Sequence, residues 1–143
     1  MKRPSWEETW MNIVSEMERR SVCLRYKVAA IFVRDNILLS GGYNGPPKGI
    51  EHCNEVGCAK EMSGRCRGAH AETNAIVNAA LNGTSLHHAT LYCSWSPCLE
   101  CAKHLINLGL IELVYKNKYT KEPEAKKMLE QAGVKLVLLD RTF

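Results

Sequence analysis

Nowhere in this sequence does an apolar run approach the roughly 18 residues that a membrane-crossing helix needs, so a helical membrane span is not expected. The opening stretch MKRPSWEETWMNIVSEMERR lacks both a continuous apolar core and a small-residue cleavage site, and acidic residues run through it. No signal peptide is predicted from it, and the protein is expected to be cytoplasmic. Repeats, low-complexity tracts and a compositional break that would mark a linker are missing too, which predicts a single domain over 1–143. Aromatic residues make up only 7% of the chain, and the net charge of +4 is not gathered into a Lys/Arg stripe. With neither a basic face nor an aromatic platform, a dedicated nucleic-acid binder is not expected, whereas a small anionic substrate is compatible with the charge.

The composition that remains, 45% hydrophobic and 24% charged, is that of an ordinary globular domain. Seven cysteines are present. In a reducing compartment they read as metal ligands or buried thiols, not as disulfides. Ser5 with Glu8 three residues on forms a capping-box pattern, and Trp6, Trp10, Ile13, Val14 and Met17 follow at helical spacing up to Arg19 and Arg20. KVAAIFVRDNILLSGGYN reads as a β-hairpin turning at Asp35-Asn36. From Gly45 to Gly68 the pattern predicts a loop, long enough to be functional and in need of something to hold it. A helix is predicted over 69–81, a strand over 89–93, a helix opened by Pro97 and stopped at Leu108-Gly109, a strand over 111–115, a helix over 123–131 and a strand over 134–139. Strands alternating with helices after a hairpin predict a three-layer α/β/α sandwich around a mixed five-stranded sheet, mixed at the hairpin and parallel beyond it.

The stretch SPCLECAK contains a C-x-x-C pair that has three readings: a redox dithiol, half of a structural zinc knot, or two of three ligands to a catalytic metal. His70-Ala71-Glu72 opens one predicted helix and Pro97-Cys98-Leu99-Glu100-Cys101 opens the next. Cys98 and Cys101, three apart, would share a helix face near a positive helix end that favours thiolates. His70 would then be the third ligand. Two thiolates and one imidazole leave a tetrahedral position open for water, the pattern of a catalytic zinc, with Glu72 as the general acid/base. H-x-E together with P-C-x-x-C is the signature of zinc nucleobase deaminases. Asn74, one turn after His70 on the same face, is predicted to point at the site. Arg25 and Lys27 precede the first strand and could neutralise a phosphate, or could be ordinary solvated charges. Cys53, Cys58 and Cys66, with Cys23 before the first strand, read as a second, closed zinc site that holds the loop. His52 could stand in for one ligand, and Cys93 reads as a buried thiol.

These motifs, with CLRYKVAAIFV, GYNGPPKG, HAETNAI, LYCSWSPCLECAKHLINLGL and VYKNKYTKEPEAKKMLEQAGVKL, span nearly the whole chain. In them the sequence resembles the cytidine deaminase-like superfamily, and within it the deoxycytidylate deaminases. The segment Gly42-Tyr43-Asn44-Gly45-Pro46 favours a nucleotide substrate. The resemblance implies zinc-dependent hydrolysis of dCMP to dUMP with loss of ammonia, feeding dTMP synthesis. Glu72 would carry the water proton to N3 of the ring and then help protonate the departing amine. It further implies that Asn44 holds the nucleotide, that the N–H of Ala71 meets the ring carbonyl and that the Ser96 carbonyl meets the amino group. Tyr119 would be a pocket tyrosine, though a tyrosine after a strand can also be a plain surface aromatic. Members of the resembled family carry a structural zinc in the same loop on mixed Cys and His. Many are hexamers activated by dCTP with Mg2+ and inhibited by dTTP, so a homo-oligomer with those effectors is expected. Leu81 stands where a regulated relative has an arginine, and an apolar side chain cannot pair with a triphosphate. The alternatives in function are deamination of another cytosine nucleotide or nucleoside, and base editing of RNA or single-stranded DNA.

Overall fold

A computed structural model describes residues 1–139, so the last four residues of the expected 1–143 domain lie outside the described residues. Helix α1 (Trp6–Glu18) begins on the expected capping box: Glu8 N–H donates to Ser5 Oγ at 3.1 Å and Ser5 N–H to Glu8 Oε2 at 2.9 Å. It buries Trp10, Met11 and Val14, each such side chain contributing roughly 1.5–3 kcal/mol against an exposed one. Trp6 remains half-exposed and stacks on Trp10. Strands β1 (Ala29–Arg34) and β2 (Ile37–Tyr43) form the predicted hairpin. Asp35 and Asn36 turn it with φ of 54° and 56°, the left-handed pair of a two-residue turn whose twist matches the strands.

The segment predicted as plain loop contains two short helices, α2 (Cys53–Val56) and α3 (Ala59–Ser63). Neither has the apolar periodicity that would show in the sequence. The loop is closed at its neck by paired hydrogen bonds between Gly45 and Ala69, at 3.2 and 2.7 Å. The chain continues through α4 (Ala71–Leu81), β3 (Thr90–Trp95), α5 (Leu99–Asn107), β4 (Glu112–Asn117), α6 (Pro123–Gln131, with Pro at its start as expected) and β5 (Lys135–Leu138).

The strand order is β2-β1-β3-β4-β5. β3 joins the sheet on the far side of β1 from β2, so it pairs antiparallel with β1, and only β3-β4-β5 is parallel. The sheet is therefore mixed at the hairpin and parallel beyond it, as expected. Side-chain alternation divides the molecule into layers. Ala29, Ile31, Val33, Tyr92 and Val114 pack against α1 on one face, while Ala30, Phe32, Leu91, Cys93, Leu113 and Tyr115 pack against α4, α5 and α6 on the other. Cys93 is fully buried, and burial raises its thiol pKa, as suits a core residue.

Helix α4 lies unusually close to β2. Asn74 and Asn78, one turn apart, donate from Nδ2 to the carbonyls of Tyr43 and Gly41, both at 2.8 Å, and Ser40 Oγ donates to the Ala75 carbonyl at 2.6 Å. A Cβ at Gly42 would meet backbone atoms of α4, with Ala75 N at 2.5 Å and Ala71 O at 2.8 Å. Backbone cannot yield as a side-chain tip can. Gly42→Ala is therefore expected to destabilise the fold by about 1–3 kcal/mol or more, measured as a lower urea midpoint at unchanged slope. A midpoint that did not move would show that α4 is not held against β2 as described.

Candidate metal centre and its cavity

The two motifs meet because two helices start at the same end of the sheet. His70 is the N-cap of α4 and Cys98 the N-cap of α5, both in extended conformation, and neither side chain makes the usual capping hydrogen bond. Helix α5 starts two residues later than predicted, after Pro97, so Cys98 caps the helix and Cys101 lies in its first turn. The freed side chains face each other. His70 Nδ1 is 3.3 Å from Cys101 Sγ and 3.4 Å from Cys98 Sγ. Among the described residues, these three form the only group of three or more His, Cys, Asp or Glu whose ligand atoms all lie within 4.8 Å of one another.

The charges at the site follow from this crowding. A hydrogen bond from Cys101, helped by one from His70, pulls the Cys98 thiol down to about 4. The resulting thiolate, together with burial, holds Cys101 up in its protonated form, and its hydrogen bond to His70 raises the imidazole. Glu72, in the first turn of α4, is 5% exposed, and burial raises its carboxyl pKa. A tetrahedral zinc with Zn–S near 2.3 Å and Zn–N near 2.0 Å separates imidazole and thiolate donors by roughly 3.5 Å. The observed 3.3 and 3.4 Å fit that spacing, and the donor set suits zinc.

The group opens on a cavity of about 260 Å³. Arg25, Asn44, Ala71, Glu72, Ser96 and Tyr119 all line it. Asn74 does not line it, because its carboxamide is turned away to the β2 backbone, and Lys27 is likewise absent from the wall. Asn44 lines the cavity with most of its side chain committed. Oδ1 accepts from Val28 N–H at 2.9 Å, and Nδ2 donates to the Tyr26 carbonyl at 2.8 Å. Tyr26, Trp95 and Lys121 also line the wall and were missed in the sequence. The signal for Trp95 was its place at the carboxyl end of a strand, where open α/β sheets bind ligands.

Cys23, Cys53, Cys58 and Cys66 also line this cavity, but they are not drawn into one set at ligand distance. Their sulfurs nonetheless accept hydrogen bonds. Cys23 Sγ takes the N–H groups of Arg25 and Tyr26, both at 3.4 Å, Cys66 Sγ takes Gly68 N–H at 3.3 Å, and Cys53 Sγ takes the Arg67 guanidinium at 3.5 Å. His52 starts α2 as its N-cap, next to Cys53.

Comparison with known proteins agrees with this geometry. The family model for the cytidine and deoxycytidylate deaminase zinc-binding region matches residues 4–117. A deoxycytidylate deaminase of Schizosaccharomyces pombe is 36% identical over 94% of this chain, which spans 44% of that protein's length. Deoxycytidylate deaminase of Mycobacterium phage D29 is 34% identical over 80% of this chain and 97% of its own. The crystal structure of dCMP deaminase from cyanophage S-TIM5 in complex with dCMP and dUMP superposes with a TM-score of 0.84 at 30% identity, covering 97% of this chain and 100% of that one.

The electrostatics make a prediction about loading the site. The neighbouring Cys98 thiolate and burial keep the proton on Cys101, a proton that a metal must displace, whereas Cys98 has already lost its own and its hydrogen bond raises His70. Zinc binding is expected to release at least one proton at this group, so apparent affinity should rise with pH. Calorimetry in buffers of different ionisation enthalpy checks this, and binding without proton release would contradict the assignment of charges.

Proposed function

The chain belongs to the cytidine and deoxycytidylate deaminase family, and on that premise we propose that it hydrolyses dCMP to dUMP and ammonia. The observation that carries this reading is the His70, Cys98 and Cys101 group, open toward a cavity beside the buried Glu72. The relatives that match along nearly their full length, from phage D29 and cyanophage S-TIM5, favour dCMP over other cytosine substrates.

In this reading His70, Cys98 and Cys101 hold the catalytic zinc. When bound, zinc supplies a water acidified to near neutrality as the nucleophile for C4 of the ring. Glu72 receives the water's proton on its carboxylate and delivers it to N3. Glu72 then carries the proton of the new C4 hydroxyl to the amine, the C4 carbonyl forms as the C–N bond breaks, and ammonia leaves, so one water is consumed for each ammonia released. Its buried, raised carboxyl suits a group that must hold a proton between two transfers. The Ala71 N–H lies at the positive start of α4, where it can meet the ring carbonyl, and the Ser96 carbonyl receives the amino group. Tyr119 closes the wall. Asn44 keeps one N–H for the nucleotide while its other contacts hold the Tyr26–Val28 backbone, and Arg25 faces the phosphate.

The reading extends to a second zinc on Cys23, Cys53, Cys58 and Cys66, and what supports it is the N–H···S pattern. Backbone amides two and three residues on from Cys23, and two on from Cys66, already point at the sulfur as they do around a thiolate ligand. We further propose a cytoplasmic homo-oligomer, hexameric as in the resembled family, that feeds dTMP synthesis and takes dCTP with Mg2+ and dTTP as effectors.

A chromatographic assay of zinc-loaded protein with dCMP, CMP, dCTP and deoxycytidine is expected to yield dUMP fastest. Glu72→Gln should keep fold and zinc and lose about 100-fold or more in kcat; a variant near wild-type rate would remove Glu72 from the chemistry. Elemental analysis is expected to find two zinc ions per chain in the wild type and one in Cys66→Ser, with a lower melting temperature. One zinc in the wild type would sink the second site.

A further inference from the structure

Resting on the reading of a cytosine nucleotide as substrate, we propose that Lys121 joins Arg25 in telling the nucleotide from the nucleoside, its ammonium contacting the 5′-phosphate. Four cations line the cavity: Arg25, Lys60, Arg67 and Lys121. Arg67 is committed to the loop, donating to the Gly57 carbonyl at 2.7 Å and to Cys53 Sγ. Lys60 sits on the five-residue α3. Lys121 differs in that its position is built into the metal centre's own frame.

The segment that carries Lys121 is tied down on both sides. Tyr119 N–H donates to Ser96 Oγ at 2.7 Å, and Glu122 Oε2 accepts from Leu99 N–H at 3.3 Å. Ser96 and Leu99 flank Pro97-Cys98, so the backbone of Lys121 is held in register with a ligand of the candidate zinc. The side chain is steadied as well. Its Nζ lies 5.7 Å from the centre of the Tyr26 ring, a cation–π contact, and Tyr26 in turn meets Trp95 edge-on at 5.5 Å and 78°. Trp95, Tyr26 and Lys121 thus form a continuous arm along the cavity wall that ends in a positive charge.

That charge has no carboxylate partner within ion-pair distance among the described residues. Lys103, Lys116, Lys126 and Lys135 are each matched with a glutamate. An aromatic face attracts an ammonium while leaving its N–H donors for an anion, and a phosphate gains charge-assisted hydrogen bonds from such a donor. A nucleoside offers nothing there.

The test is calorimetric titration of zinc-loaded protein with dUMP and with deoxyuridine, for the wild type, Lys121→Met, Lys121→Arg and Arg25→Met. Lys121→Met is expected to weaken dUMP by about tenfold or more while leaving deoxyuridine within about twofold, and Lys121→Arg to recover most of the loss. Equal weakening of both ligands would make Lys121 a support of the pocket and overturn the proposal. So would an unchanged Lys121→Met beside an Arg25→Met that abolishes the preference for dUMP. A wild type that binds neither ligand would remove the nucleotide reading, and this proposal with it.

Discussion

Two helices of this fold start on a histidine and a cysteine that make no capping hydrogen bond, and the arrangement of the whole site depends on that exchange. An N-cap oxygen ordinarily stabilises a helix by about 1 kcal/mol, so His70 and Cys98 each forgo that contribution. In return their side chains are free to point at each other across the carboxyl end of β3. The positive ends of α4 and α5 converge on the same spot, which favours thiolate on Cys98 and anionic groups near Ala71. A divalent cation bound there would more than offset two lost caps, since metal binding to such ligand sets reaches about 10 kcal/mol and above.

The N-termini can be trusted to meet only if both helices are held. Helix α4 is fixed to β2 by Asn74, Asn78, Ser40 and the missing side chain of Gly42. Helix α5 is fixed at its start by Glu122, whose carboxylate takes the first free N–H after Cys98. Above the site, Ser21 Oγ donates to the Asn44 carbonyl at 3.0 Å and accepts from Cys23 N–H at 3.2 Å, joining the end of α1 to the cavity wall. Lys116 ties β4 to α1 through Ser15 and Glu18 in a half-buried contact. The site therefore rests on backbone and side-chain hydrogen bonds from five elements, and the loop 45–68 is added across the cavity from a single neck at Gly45 and Ala69.

Local chemistry was legible in the sequence wherever one segment decides the structure. Ser5 and Glu8 define a capping box by themselves, Asp35-Asn36 define a hairpin turn, and His70, Cys98 and Cys101 mark a candidate metal centre through residue type and spacing. What failed needed knowledge of a partner. Asn74 shares a helix face with His70, yet the Tyr43 carbonyl claims its amide, and no spacing rule sees a carbonyl on another strand. Tyr26, Trp95 and Lys121 come from three separate segments and become one wall only in the fold. The short helices α2 and α3 were hidden because a single turn carries too few residues for a period to appear.

The account stands on hydrolysis at C4 by water delivered from the His70, Cys98 and Cys101 centre. Its most direct test is a single-turnover reaction of zinc-loaded protein with dCMP in 18O-enriched water, with the products weighed by mass spectrometry. The account predicts dUMP carrying one 18O at C4, two mass units heavier than the product made in ordinary water, formed together with one ammonia and abolished when a chelator strips the metal. Unlabelled dUMP, or full turnover in the stripped protein, would contradict it.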